Sequence, residues 1–452
     1  MPTDKIAGER PNIVFIVADD LGFADLGCYG GRPARFGPVS PVLDRLAQDG
    51  LRLTQGYANS PVCSPTRFAL MTARYQYRLR GAAEEPINSK SRGSTTLGLP
   101  PEHPTLPSLL RASGYRTALM GKWHLGYPPA FGPLQSGYEE FFGPMSGGVD
   151  YFTHCASTGA HDLWRGHAGV EEEHAEPGYL TDLISGHAVD YVRRSAAHAR
   201  DGTPFFLSVH YTAPHWPWET RDDAALAQEI RADIVHLRGG NIPTYHRMIH
   251  HMDEGIGQLV AELQAHGLLD NTLLVFTSDN GGERFSDNWP LVGGKMDLTE
   301  GGIRVPWIAH WPAVIAPGGV SEQQCMTMDW SATMLDAAGA APDRAYPPDG
   351  ISLLPVLHDA HRRFTRRLYW RMGHRGQRAL RDGDWKYLRV DNNDYLFNIP
   401  SDERERANQA RHEPQRLAAM RQAWESWNAT MPPIPPDATV SLGYTDRDMP
   451  QR

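Results

Sequence analysis

Five apolar, β-branched runs bounded by turn residues punctuate the first three quarters of the chain: NIVFIV (12–17), YRTALM (115–120), FFLSVHY (205–211), LLVFTS (273–278) and VPWIAHW (305–311). Runs of this kind, with little polar alternation, predict strands buried on both faces. Between them the pattern lengthens to that of amphipathic helices, in SPVLDRLAQDG, TLPSLLRASG, YLTDLISGHAVDYVRR and YHRMIHHMDEGIGQLVAELQAHG. In the last of these, Met248, Met252, Ile256, Leu259 and Leu263 share one face. Strands alternating with helices predict an α/β fold: a large, mostly parallel, doubly wound sheet flanked by helices. After about residue 345 the texture changes. RLYWRMG, RALRDGDWKYLRV and DYLFNIP read as short strands joined by turns, followed by a helix near 412–427. The expected organisation is a large α/β unit over 1–345 and a smaller C-terminal α+β subdomain over 346–452 with a short antiparallel sheet. Stretches 84–100 and 145–178 combine weak periodicity with abundant Gly, His and Glu, as expected of loops over a site.

In a doubly wound sheet, ligands bind beyond the carboxyl ends of the strands. Asp19 and Asp20 follow the first run, and Asp279 and Asn280 follow the fourth. Either pair alone would be an ordinary turn former. Two pairs on one edge supply four hard oxygen donors, which suit Ca²⁺ or Mg²⁺ and not zinc, with four protein oxygens favouring the larger ion. After the second run comes GKWHLG, with Lys122 and His124; after the third comes APHWPW, with His215; Lys295 lies in LVGGKMDLTEGGIRVP. A lone Lys or His in a loop is usually just solvated. Together these form a cationic pocket beside a divalent ion, as a dianionic leaving or transferring group requires.

In SPVCSPTRFALMTARY, Cys63 sits directly ahead of a predicted first helical turn. A lone Cys is more often a buried hydrophobe than a reagent. Here Ser64 and Pro65 are helix-start residues, and Arg67, Arg74 and Arg78 bring three guanidinium groups within a few turns. A helix N-terminus would stabilise anything negative made at that position. Other histidines carry less. His246 and His250 are spaced i, i+4 without the Glu of a zinc-protease motif and are expected on a helix surface. The loose spacing of His154, His161, His167 and His174 resembles loop composition.

The net charge of −9 argues against nucleic acid or an anionic membrane as partner, and no run approaches transmembrane length. The opening residues lack the features of a signal peptide, so a cytoplasmic location is expected for the sequence as it stands, or a periplasmic or secreted one if a leader was removed. Cys28, Cys63, Cys155 and Cys325 are too few and irregular for a disulfide framework or a zinc site. Homo-oligomerisation is left open.

The segment CSPTR matches a Cys-x-Pro-x-Arg signature, and NIVFIVADDLG, GYRTALMGKWHLG, HYTAPHWPW, SDNGG and GGK with TEGGIRVP match further blocks in order. Over nearly its whole length the chain resembles the type I sulfatases of the alkaline phosphatase superfamily. One departure is MTAR, where Ala73 replaces the glycine usual in that family. The resemblance implies that a formylglycine-generating enzyme acts on CSPTR and oxidises Cys63 to Cα-formylglycine, whose hydrate is the nucleophile. It implies one Ca²⁺ (or Mg²⁺) held by Asp19, Asp20, Asp279, Asn280 and an oxygen of residue 63, with Arg67 and Lys122 holding the hydrate. Lys122 and Lys295 would offset charge on the sulfate oxygens, and His215 with Lys295 would protonate the departing alcohol. His124 would then deprotonate the second hydroxyl, expelling sulfate from a covalent sulfo-enzyme intermediate. The implied activity is arylsulfatase-like hydrolysis of sulfate monoesters, on small aryl or carbohydrate sulfates. Two alternatives remain: a phosphodiester or phosphonate monoester hydrolase with the same aldehyde and metal, and an unconverted protein that only captures anions. Substrate-selecting residues are expected in loops 84–100, 145–178 and 283–297 and the C-terminal piece, around a modest, mostly apolar mouth. Trp164, Trp216, Trp218 and Trp289 are candidates for its walls.

Overall fold

A computed structural model describes residues 10–30, 37–230, 233–235 and 239–440. The main sheet has ten strands, in the spatial order Gly319–Ser321, Leu51–Leu53, Trp307–His310, Thr272–Ser278, Asn12–Ala18, Phe205–His210, Arg116–Gly121, Glu140–Gly143, Trp164–His167 and Val170–Glu173. The five from Thr272–Ser278 to Glu140–Gly143 run parallel. Every residue of Asn12–Ala18, Phe205–His210 and Thr272–Ser278 is buried. That burial is why these strands read as continuous apolar runs: alternate side chains enter different layers, and both layers are dry. Val14 and Ile16 pack with the helices Leu180–Arg200 and Ile242–Ala265, including the Met248 to Leu263 face. Ile13, Phe15 and Val17 join the layer formed with the helices Cys63–Thr72 and Thr327–Ala337.

The margins of the sheet depart from the parallel rule. Trp307–His310, within the expected VPWIAHW strand, is antiparallel to both of its neighbours. Within 145–178, expected as loop, Trp164–His167 and Val170–Glu173 form an antiparallel hairpin on the opposite edge. The sequence conceals this hairpin because an edge exposed to solvent needs no apolar alternation; Val170 is 62% exposed.

The C-terminal strands Arg367–Met372, Gln377–Asp382, Trp385–Val390 and Asn393–Asn398 form an antiparallel sheet in sequence order. The helix Pro414–Asn428 covers one face, with Met420 and Trp424 against Leu380, Tyr387 and Leu396. The other face presents Leu368, Trp370 and Leu388 to Tyr57, Val62 and Ala69, the residues that flank Cys63 and its helix. Between the layers, Lys386 bridges Glu300 (3.0 Å) and Glu405 (2.8 Å) with no exposed surface. Among the described residues no helix is long and apolar enough to cross a membrane.

Candidate active site

Parallel pairing brings the carboxyl ends of the central strands to one level: Ala18 is opposite Ser278, and Gly121 is opposite His210. The residues that follow these ends therefore meet. Asp19 and Asp20 leave the first strand, with Asp20 in the left-handed region (φ 63°). Asn280 donates to Asp20 Oδ1 across the junction (2.7 Å), and Asp20 N donates to Asp279 Oδ1 (3.3 Å). All ten expected residues, Asp19, Asp20, Cys63, Arg67, Lys122, His124, His215, Asp279, Asn280 and Lys295, are buried.

Cys63 is the first residue of the helix Cys63–Thr72, after Val62 in extended geometry. Ser64 and Pro65 thus lie inside the first turn, and the cap residue itself makes no side-chain bond. Ser64 Oγ accepts instead from Ile87 N (2.9 Å), fastening the 84–90 segment beside the helix start. One turn on, Arg67 grips Asp279 Oδ2 through Nε (3.0 Å) and Nη2 (2.8 Å) and reaches the Lys122 carbonyl with Nη1 (3.1 Å). Arg74 and Arg78 do not join it. Arg78 pairs with Asp349 (2.7 Å), and Arg74 contacts His103 (3.2 Å) and lies over Tyr346, so the expected triple guanidinium cluster reduces to Arg67. The helix ends at Thr72, with Ala73 in the left-handed region, so Arg74 and Arg78 lie beyond it and leave on a different course.

The lysines divide the carboxylates between them. Lys122 Nζ binds Asp19 Oδ2, and Lys295 Nζ binds Asp20 Oδ2 (2.6 Å), with His215 Nε2 3.5 Å from the same oxygen. Burial pushes Asp20 upward, but Lys295 and His215 outweigh it and bring the carboxyl down to about 2. Asp279 rises to about 6, through burial and then the neighbouring Asp19, against the pull of Arg67 and Lys122. Burial, helped by Lys295, lowers His215 to about 3, and burial with Lys122 keeps His124 well below its ordinary value. His124 Nε2 donates to Ile87 O (2.5 Å), leaving Nδ1 unbonded, buried and without a proton. His215 Nδ1 donates to Trp216 O (2.7 Å), which turns Nε2 towards Asp20. Burial drives the Cys63 thiol well above its usual value, with Lys122 only partly offsetting it. A thiol held in that state is a poor nucleophile.

The donor set fits a hard cation. Asp19 Oδ1 and Asn280 Oδ1 are buried and accept no hydrogen bond. Ligand atoms of Asp19, Asp20, Cys63 and His215 lie within 4.8 Å of one another. Buried oxygens without partners are costly unless an ion or water meets them, and the oxygens of Asp19, Asp20 and Asn280 suit Ca²⁺ or Mg²⁺, although the thiol and imidazole converge beside them.

Cys63, His124, His215 and Lys295 line a cavity of about 270 Å³. Of the four tryptophans expected as walls, Trp216 alone lines it. Trp218 is buried against Phe285, Trp164 donates to Asp162 (2.8 Å), and Trp289 is 61% exposed beneath Arg404. Sequence reasoning missed His210, which closes the back of the site against Arg67 (3.3 Å) and the Lys122 carbonyl (3.3 Å). Its place as the last residue of a central strand was the available signal. The Ile87 carbonyl left no side-chain signal at all. His246, expected on a helix surface, is buried, and His174 pairs with Glu176 (3.2 Å). Among the described residues the remaining histidines form no metal-binding group.

A sulfatase family profile matches residues 11–340. The chain is 33% identical over 370 residues to N-acetylgalactosamine-6-sulfatase of Homo sapiens, covering 78% of this chain and 66% of that one. It is 30% identical over 434 residues to steryl-sulfatase of Rattus norvegicus, covering 77% and 70%. The chain thus spans about two thirds of the length of these curated relatives. The solved structure of Ps i-CgsB in complex with k-i-k-neocarrahexaose superposes with a TM-score of 0.79 at 31% identity, covering 93% of each chain. Since the matched span contains every residue of the strand-end cluster, from Asp19 to Lys295, this chain belongs to the sulfatase family.

Proposed function

We propose that this chain hydrolyses sulfate monoesters, using a Cα-formylglycine made from Cys63 by a formylglycine-generating enzyme. The observation that carries this reading is Cys63 itself: a buried thiol, held protonated, at a helix start and within reach of Asp19, Asp20 and His215. As a thiol it has no chemistry to offer there. As an aldehyde hydrate, residue 63 supplies one hydroxyl to attack sulfur and a second to expel sulfate, which a plain thiol or alcohol lacks.

Asp19, Asp20, Asp279 and Asn280 would hold the cation, Ca²⁺ by ligand chemistry, which when bound would offset negative charge on the sulfate oxygens. Arg67 fixes Asp279 by its two-nitrogen grip and so orients the ligand edge. Lys295 lines the cavity and Lys122 is buried on Asp19, and both would offset charge on the sulfate. The sulfate group would compete with Asp19 and Asp20 for their ammonium protons. The low proton affinity of His215 makes it neutral at rest, so the departing oxygen would take its proton from the Lys295–His215 pair and not from a standing imidazolium. His124 enters later. Its Nε2–H is committed to Ile87 O, and its free Nδ1 would accept the proton of the second hydroxyl as sulfate leaves. The cavity, with apolar Trp216, Ile234, Val235 and Met296 and polar Asn88, Ser89 and Ser157, suits an aryl or carbohydrate sulfate.

The test is turnover of 4-nitrophenyl sulfate by protein co-expressed with a formylglycine-generating enzyme, with peptide mass spectrometry scoring the aldehyde at residue 63. The reading predicts Ca²⁺-dependent release of nitrophenol, lost on chelation and restored by the ion. Aldehyde-bearing protein inactive in saturating Ca²⁺ refutes it. Faster cleavage of a matched phosphonate monoester would reassign the substrate while keeping the chemistry.

A further inference from the structure

The cavity lined by Cys63 is also lined by Lys90, an exposed residue in the short turn Ser89–Ser91. The other cations nearby are engaged. Lys122 and Lys295 are on Asp19 and Asp20, and Arg92, two residues further on, pairs with Glu173 and lies over Trp164. Among the described residues no carboxylate pairs with the Lys90 ammonium.

The turn that carries Lys90 is held at several points. Asn88 Oδ1 accepts from Lys90 N (2.8 Å), and Ser89 Oγ lies 3.3 Å from Ser157 Oγ of the facing loop. Upstream, Ile87 is bonded to Ser64 and His124, and Glu84 accepts from Thr439 N (2.6 Å) and Oγ1 (2.8 Å) of the C-terminal strap. An ammonium without a counter-charge, on a turn fixed in this way, gives the cavity a cation besides Lys295. Cys63, His124, His215 and Lys295 would meet the scissile ester. Trp216, Ile234 and Val235 provide an apolar surface in the same cavity, suited to the carbon face of a sugar ring.

We propose that Lys90 is a second anion subsite, and that the preferred substrate is a saccharide bearing the scissile sulfate and a further sulfate or carboxylate. This rests on the sulfate-ester reading of the Cys63 site and names its substrate class.

The experiment measures equilibrium binding to the Cys63→Ala chain, which cannot turn substrate over. The probes are galactose 6-sulfate and its 2,6-, 3,6- and 4,6-disulfates, titrated calorimetrically in Ca²⁺. At least one disulfate should bind about fivefold more tightly than the monosulfate, the scale of one solvent-screened ion pair. Lys90→Ala should abolish that preference and leave monosulfate binding unchanged, Lys90→Arg should retain it, and raised salt should erode it. A preference that survives Lys90→Ala, or none among the disulfates, overturns the subsite. Turnover of 4-nitrophenyl sulfate by the converted wild-type chain separates the two proposals. Turnover without the preference removes only the Lys90 subsite; the preference without turnover removes only the hydrolase.

Discussion

Replacing Lys386 with methionine should destabilise the protein by about 3–5 kcal/mol, the cost of removing one partner from a buried ion cluster. Lys386 has no exposed surface, and its Nζ lies 3.0 Å from Glu300 and 2.8 Å from Glu405. Glu300 also accepts from Tyr57 Oη (2.8 Å), and its own N–H donates to Glu405 Oε2 (2.6 Å). Burial raises both carboxyls. At Glu300, attraction to Lys386, Arg381 and Arg304 wins and brings it to about 2, whereas Glu405, facing Glu300, rises to about 7. Methionine keeps most of the stem volume, so the loss would be electrostatic and not a cavity effect. The sign with pH follows from Glu300. Its folded value is depressed from 4.5, so its contribution is present above 4.5 and lost as pH falls through about 2. The deficit of the variant should be full at neutral pH and shrink in acid. Urea unfolding followed by tryptophan fluorescence measures it, and turnover should fall too, because Glu300 closes the glycine-rich segment that carries Lys295. The neutral triple variant Glu300→Gln, Lys386→Met, Glu405→Gln should recover much of the loss. A deficit under about 1 kcal/mol for Lys386→Met alone would refute the reasoning, since a group so weakly coupled is not a buried charge in need of its partners.

Ala73 ends the Cys63–Thr72 helix in the left-handed region (φ 56°) with its carbonyl held by Asp349 N and Gly350 N (both 3.0 Å). Ala73→Gly should therefore add about 1 kcal/mol in urea unfolding, and an unchanged midpoint would show that this turn is not strained. Glu219 is buried opposite Asp150. Burial and that neighbour raise it from 4.5 to about 9, so its stabilisation is complete below 4.5 and lost as pH climbs through 9. Glu219→Gln, which keeps the donor, should lose a slope of about 1.4 kcal/mol per pH unit across that window; identical stability profiles would contradict the shared proton. Cys63→Ser should release about one equivalent of alcohol and then stall, because serine has no second hydroxyl; sustained turnover in a stopped-flow trace would rule out expulsion by that hydroxyl.

The apolar runs alone determined the central strands, because a strand buried on both faces must be apolar throughout: NIVFIV and LLVFTS could hardly be anything else. The strand-end rule then made Asp19, Asp20, Asp279, Asn280, Lys122 and His124 legible as neighbours, and the Cys-x-Pro-x-Arg block singled out Cys63 and Arg67. The hairpin at 164–173 was not legible, since its solvent-facing edge imposes no pattern. Pairings between distant segments were equally hidden. Sequence put Arg67, Arg74 and Arg78 in one group, but the helix end at Thr72 and the position of Asp349 dispersed them. His210 and the Ile87 carbonyl entered the site only through packing, as did the Glu300–Lys386–Glu405 cluster that ties the C-terminal sheet to the Lys295 segment. Side-chain type and spacing thus determined which chemistry the chain carries, because both are local properties. Which nitrogen of His124 stays free, which lysine holds which carboxylate, and where Lys90 stands were decided by tertiary structure, because each depends on contacts between residues far apart in the chain.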